Sequence, residues 1–598
     1  MLIGPIFTQE LATAPLRTRF YALPALFLGA QLLLVFAAWM LLAGTQELRT
    51  PADFARFGMT IFPILVLLQL TLGLFFSALF TASAIAQEKD RRTLILLLLT
   101  RLNNSELVLG RLFASLLPLV VALAVSVPLL MLLRGFGGIS LLQIALAVAV
   151  TFGTMLVAGS LGALVAYWRE KSFLILAITT LVICVWLGFW TAVGAGLLGE
   201  AWNEQSTALW AATFSPLQTL ARVLQPLPLA TRGVLGIGSV VFEYLIFTVV
   251  ASLLLNSWTI LRLRVWNPSR EAAPRQEEAS PNTTGATRAA GAPAVLPLNE
   301  ISGNIHAARQ KTRSVWDNPI LWREVRTWAY GRRMLLVKFA YVVAFATACY
   351  GLVQMRQGAV LGTESLAAIV VPLLVVSLVL LNALAVNSIT NEKDLNALDL
   401  LLVTDLSPRE FIYGKLAGIF YAAKEMVVLP WLLILGLWLS GAVRGESTFY
   451  LGVGLLAFQA YVTMLGVHVG LAYDNSRQAT AVSLGIVFFL LVGVGTCMRI
   501  MIAFGTSSLA IQLIAFSAVI ICGGVILYAA LGVRNPSGAL LIASLLCPAL
   551  TFVGIMNYLG GETLSVFLVI VGAYGFATTA MLVPAIAAFD VATGRTTE

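Results

Sequence analysis

The sequence predicts an all-α polytopic membrane protein, a tandem repeat of two six-helix transmembrane domains, the second with up to eight helices. Three observations predict this. The 598 residues are 59% hydrophobic and only 11% charged, with a mean hydropathy of +0.93, whereas a soluble domain carries roughly 25% charge. Many apolar runs reach the roughly 20 residues that a membrane-crossing helix needs. One polar stretch also occurs twice, and an internal repeat sets the architecture of what surrounds it.

The two copies are QEKDRRTLILLLLTRLNNSELVLGRLFA at 87–114 and NEKDLNALDLLLVTDLSPREFIYGKLAG at 391–418. Aligned without gaps, 12 of 28 positions are identical. Glu88, Lys89 and Asp90 face Glu392, Lys393 and Asp394; Thr100, Glu106 and Gly110 face Thr404, Glu410 and Gly414. Each copy is a polar island between apolar runs.

In chain order, residues 4–19 carry Glu10, Arg17 and Arg19 among apolar neighbours, which suits a helix lying in the membrane interface. The layout returns in DNPILWREVRTWAYGRR, where Pro319-Ile320 answers Pro5-Ile6 and Glu324 answers Glu10. Spans are expected near 20–43, 59–85, 112–133, 140–166, 173–198 and 234–262, with a Trp-containing polar segment before the last. That segment, 199–233, reads as an interfacial gate or re-entrant piece. Residues 267–313 are rich in Pro, Ala, Gly, Ser, Thr, Glu and Arg and read as a disordered tether. The domains are therefore 1–266 and 314–598. The second repeats the plan near 336–355, 366–388, 416–440, 448–472 and 479–503. It then departs, with apolar runs near 508–533, 539–558 and 564–588.

Charge sets the expected orientation. With both ends, both islands and the linker inside, about 29 Lys and Arg lie inside and 8 outside, as the positive-inside bias requires. The protein is expected in the cell membrane with both termini cytoplasmic, and its net charge of +9 reflects those loops and not a nucleic-acid surface. The N-terminus lacks the layout of a cleaved signal. Cys184, Cys349, Cys497, Cys522 and Cys547 sit in apolar runs without ligand spacing, and His306 and His468 are the only histidines, so no metal site is expected.

Within each island, Asp90 and Asp394 can cap a helix start. The leucine-rich segments that follow are too short to span and suit the membrane surface. Ser407-Pro408-Arg409-Glu410 is a capping box, and Asn103 to Glu106 keeps its spacing. Each island thus reads as a surface helix, a tight break and a new span: a charged knob. Its plainer reading is a solvated, capped loop.

These residues resemble the intracellular segment of type-2 ABC exporter permeases, roughly E-K-E-x-G-T-L-x-x-L-L followed by S-R-x-E-x-x-x-G-K. The second copy matches at Glu392, Lys393, Leu398, Leu401, Leu402, Ser407, Arg409, Glu410, Gly414 and Lys415. The first matches at Glu88, Lys89, Thr93, Leu94, Leu97, Leu98, Ser105, Glu106, Gly110 and Arg111. Arg92 and Asn396 stand where the family has Gly, and Ala397 replaces its Thr. The loops at 168–171 and 474–477 resemble the family's next cytoplasmic loop.

The resemblance implies interfacial elbow helices and coupling helices. It implies coupling to separate ABC ATPase subunits, two per chain, through Glu88, Lys89, Asp90, Arg91, Thr93, Arg101, Glu106 and Arg111. In the second island the matching set is Glu392, Lys393, Asp394, Asp405, Arg409, Glu410 and Lys415. ATP and magnesium would belong to the partner, since no G-x-x-x-x-G-K-[ST] loop is present. No catalytic constellation is spaced for hydrolysis. Glu243 and Glu425 are the candidate pathway carboxylates, because charge inside a membrane is costly; each also reads as a locally bonded residue. The rival readings are an ion-coupled secondary transporter using one of those two, and a membrane scaffold.

Overall fold

The computed structural model describes residues 4–45, 50–169, 172–196, 199, 201–226, 231–267, 316–326, 334–357, 363–394, 398, 406–504, 509–534, 536–587 and 589. The tether expected at 267–313 lies outside them, Asn267 excepted, as do His306 and Asp405.

Nearly everything described is helix. The first part contains α1 (Gly4–Thr13), α2 (Thr18–Thr45), α3 (Pro51–Asp90), α4 (Thr93–Leu99), α5 (Asn104–Gly135), α6 (Leu141–Trp168) and α7 (Ser172–Gly194). A two-stranded hairpin, β1 (Ala201–Trp202) with β2 (Gln205–Ser206), leads to α8 (Thr207–Phe214), α9 (Pro216–Val223) and α10 (Val240–Trp266). The second part contains α11 (Pro319–Arg326), α12 (Met334–Gln357), α13 (Thr363–Asp394), α14 (Pro408–Ala422), α15 (Lys424–Leu439) and α16 (Gly445–Ala472). Then come α17 (Ser476–Phe488) and α18 (Val494–Ala503), joined by a π turn at Phe489–Gly493. The last helices are α19 (Leu509–Leu531), α20 (Gly538–Leu559) and α21 (Thr563–Ala587).

Thirteen of these stretches, α17 and α18 counting as one, are long and apolar enough to cross a membrane, or 14 with α14 and α15 as one broken span. The protein is an all-α polytopic membrane protein. The expected span at 416–440 is bent by 62° between α14 and α15, and Ala423 at the break leaves helical geometry with φ −100° and ψ 17°.

Helix starts follow their caps. Thr50 and Asp53 form a capping box before Pro51, and Ser140 and Gln143 form another before α6. Ser239 and Ser537 accept from the third residue of α10 and α20. Packing follows small residues, which let membrane helices approach. A Cβ on Gly162 of α6 would lie 2.7 Å from the Ala78 carbonyl oxygen of α3. A Cβ on Gly466 of α16 would lie 2.9 Å from the Asn382 carbonyl oxygen of α13. Both pairs are separated by the same 304 positions as the two islands.

Across the middle, α7 packs on α13, while α17 and α18 pack on α3. Phe75 and Phe76 of α3 close that second contact against Phe488, at ring separations of 5.0 and 5.3 Å. α10 lies along α6, and α21 lies along α16. The additional helices α19 and α20 therefore sit between the fifth span of the second part and its last. The segment expected as a gate or re-entrant piece is the β-hairpin with α8 and α9. It is pinned by Trp186 Nε1 to Phe214 O at 3.2 Å and Gln143 Nε2 to Gln225 O at 2.9 Å.

Replacing Gly162 or Gly466 with valine should destabilise the protein by about 1–3 kcal/mol through overpacking, read as a lower thermal unfolding midpoint in detergent. Gly188→Ala, with nothing within 4 Å of the new Cβ, should leave the midpoint unchanged.

Candidate functional site

The site is built on the last turn of α3 and of α13. In the first island, Glu88 forms an ion pair with Arg111 of α5. Lys89 Nζ donates to Tyr167 O at 2.6 Å and Arg169 O at 2.9 Å, at the C-terminal end of α6. Those carbonyls lack helical partners, and a cation suits the negative end of the helix dipole. Asp90 accepts from the Ser172 hydroxyl at 2.6 Å, at the start of α7. Three consecutive residues therefore hold three helices.

The second island repeats this contact for contact. Lys415 of α14 donates to Glu392 at 2.6 Å. Lys393 Nζ donates to Leu471 O at 2.6 Å and Tyr473 O at 3.1 Å, at the end of α16. Asp394 accepts a side-chain hydrogen bond from Ser476 of α17. The capping boxes also recur: Asn103 N donates to Glu106 and Ser407 N to Glu410, both at 3.0 Å.

One expectation is corrected. Asp90 ends α3 and does not cap α4, whose N-cap is Arg92; Asp394 ends α13, and the stretch it was expected to cap lies outside the described residues, Leu398 excepted. The chain leaves α3 through Arg92, whose φ of 58° is left-handed, and α4 is only 7 residues long. Asp405 lies outside the described residues.

The islands also engage the short helices α1 and α11, which pack on α5 and α14. In the second, Lys415 is 1% exposed and donates to Glu324 of α11 at 2.7 Å and to Ser388 O at 3.2 Å. Arg323 pairs with both Glu392 and Glu324. The four charges balance, which a buried ionic cluster requires. In the first, Gly4 rests against Glu106, where a Cβ would come within 2.6 Å, and Glu10 pairs with Arg17 at 3.3 Å.

The islands meet across the middle. Gln87 Nε2 donates to Asn475 Oδ1 at 2.7 Å. Asp394 repels Asp90 and attracts Arg91, and Arg477 of α17 experiences the fields of Arg111 and Glu10. Beside them, burial raises the Tyr473 phenol above its ordinary value, and its hydroxyl donates to Ala530 O at 3.0 Å.

Of the residues read as partner-facing, Glu88, Lys89, Asp90 and their counterparts thus turn inward. Arg91, Thr93 and Arg101 are exposed, as are Arg409 and Glu410. The outer edge of α4 is apolar: Leu96 and Leu99 are 65% and 66% exposed, while Leu94 and Leu98 are buried. Leu96, Leu99 and Arg92 were not among the candidates, although an all-apolar helix between arginines was the available signal. Arg323 and Ser172 carried no signal of their own.

The two pathway candidates are both engaged. Glu243 lies in the first turn of α10, not deep in a span, and accepts from Leu235 N at 3.0 Å and Ile237 N at 3.2 Å. A Cβ on Gly233 would overlap that carboxylate. Glu425 pairs with Lys338 of α12 at 2.8 Å. His468 Nε2 lies 3.0 Å from Leu531 O between helices. Among the described residues, no group of three His, Cys, Asp or Glu could hold a metal ion. Comparison of the chain with protein-family models, curated proteins and solved structures returns no match.

Lys415→Met should cost about 3–5 kcal/mol, because it strands Glu324 and Glu392 without their shared cation. Glu410→Ala removes one exposed cap and should cost only about 1 kcal/mol. Chemical unfolding in detergent separates the two.

Proposed function

We propose that the chain is the membrane-spanning permease of an ATP-driven exporter, two transmembrane domains fused in tandem, with α1 and α11 as interfacial elbow helices. Hydrolysis of ATP takes place on separate ATPase subunits. These dock at the cytoplasmic face on α4 and on the corresponding stretch of the second island. The observation that carries this reading is the duplicated island. Two surface segments at one face are each wired to the third, fourth and fifth spans of their own part. The first also reaches the other part, where Gln87 donates to Asn475 at the start of α17. A force applied to such a segment reaches the contact between the parts through short, stiff connections, which is what coupling to a partner requires.

The engagement of Glu243 and Glu425 weighs against proton coupling at those carboxylates. A scaffold would have no need for islands wired to so many spans.

The chemistry of the exposed edge of α4, leucines between Arg91, Arg92 and Arg101, fits an apolar groove with acidic residues on the partner. Leu96→Asp together with Leu99→Asp should abolish co-purification with the ATPase and ATP-stimulated transport, with the unfolding midpoint unchanged. Glu88→Lys should instead lower that midpoint by breaking the pair with Arg111. Undiminished ATPase binding by the leucine variant would overturn the docking assignment.

A further inference from the structure

The two flanks of the contact between the parts are not alike. On one flank, α2 is gripped by α5 and by α19. Leu34, Ala37, Ala38 and Leu41 of α2 share one apolar core with Ile500 and Met501 of α18, Ala515 and Phe516 of α19, and Phe552 and Ile555 of α20. The additional helices staple that flank. On the other flank, α12 faces α7 directly, with α13 and α15 as its further neighbours. Only 17% of its apolar stretch is buried, the smallest share among the 13 spans. Met334, Val337 and Tyr341 are buried near its start, and from there to Val353 only Gly351 is. A span with so few buried contacts is the one that opens at least cost.

Among the described residues, one ion pair holds it. Lys338 of α12 and Glu425 of α15 lie 2.8 Å apart, with their side chains 17% and 27% exposed. The Glu425 oxygen nearest Lys338 is itself buried and makes no aligned hydrogen bond, so the attraction is Coulombic and weakly directional. The pair sits beside Ala423, at the 62° break of the only bent span among those described. The first part carries Pro24 and Val121 at the corresponding positions, so this contact belongs to one flank alone.

We propose that α12 is a lateral gate and that Lys338–Glu425 is its latch. When the pair separates, α12 swings from α7, with the break at Ala423 taking up the movement. A membrane-dissolved apolar or amphipathic molecule then reaches the contact between the parts from this flank only. The class of molecule follows from the wall: α7 is apolar and carries no charged residue from Ser172 to Gly194. This inference rests on the transporter reading for its purpose, but its geometry stands apart from any ATPase.

The test uses the full chain in nanodiscs of phosphatidylcholine containing a diazirine-bearing acyl chain, with photolabelled peptides mapped by mass spectrometry. Glu425→Gln and Lys338→Met should each raise labelling of the α7 peptide 172–194 roughly fivefold, since an unpartnered half-buried charge shifts such an equilibrium by that order. The exchange Lys338→Glu with Glu425→Lys should bring labelling back towards the native level, which also shows that the fold survives charge at both positions. Labelling of α2 should stay constant throughout. Unchanged α7 labelling in both single variants, an equal rise in α2, or failure of the exchange to restore labelling would each overturn the latch. No ATPase is present, so that failure would leave the docking reading intact, and loss of the docking reading would leave this result interpretable.

Discussion

Two lysines organise the protein. Lys89 and Lys393 each donate to the last carbonyls of a helix that arrives at the same face, α6 in one case and α16 in the other. Without a partner those carbonyls would be orphaned at a helix end, and a charged donor to them contributes roughly 1.5–3 kcal/mol. The neighbours extend the hold for a simple geometric reason. Successive residues on a helix point about 100° apart, so a Glu, Lys and Asp in a row cannot serve one neighbour. Glu88 reaches α5, Lys89 reaches α6 and Asp90 reaches α7. Glu392, Lys393 and Asp394 do the same with α14, α16 and α17.

This constraint decides how the rest is arranged. The third, fourth and fifth spans of each part are fixed at one end by the last turn of the second. Their close approach further along the membrane is set by glycines, Gly162 against Ala78 and Gly466 against Asn382. What is left to differ lies outside that frame. The second part clamps α11 with a buried cluster of four charges, whereas the first seats α1 against Glu106 by close packing. The second part also inserts α19 and α20, and these reinforce the flank at α2 while α12 stays thinly held. A duplicated frame with unequal additions is therefore mechanically lopsided, which matters for any partner that pushes on both islands.

The spans, their number and the duplication were legible in the sequence, because a bilayer demands long apolar helices and identical residues at constant spacing need no structure to be seen. The capping boxes at Asn103–Glu106 and Ser407–Glu410 were legible too, since a cap and its acceptor lie three residues apart. The direction of the charged triplets was not. Glu-Lys-Asp reads equally as a solvated knob or a buried clasp, and only the arrival of α6 and α16 beside it selects the clasp. The same limit hid Lys338 as the partner of Glu425, whose sequence neighbour Lys424 stands instead over the Tyr421 ring at 5.0 Å. It also hid the role of Glu243, which depends on how the loop before α10 folds back over its carboxylate.

By itself the sequence determined what is local: helices long enough to cross a membrane, their caps, and a twofold-repeated island at the junction of spans. The tertiary structure alone decided which charges turn inward, which leucines remain exposed on α4 and which flank is reinforced. Those outcomes depend on residues tens to hundreds of positions apart coming within hydrogen-bond reach, as Gln87 and Asn475 do at 2.7 Å. No spacing within one stretch of chain records that distance.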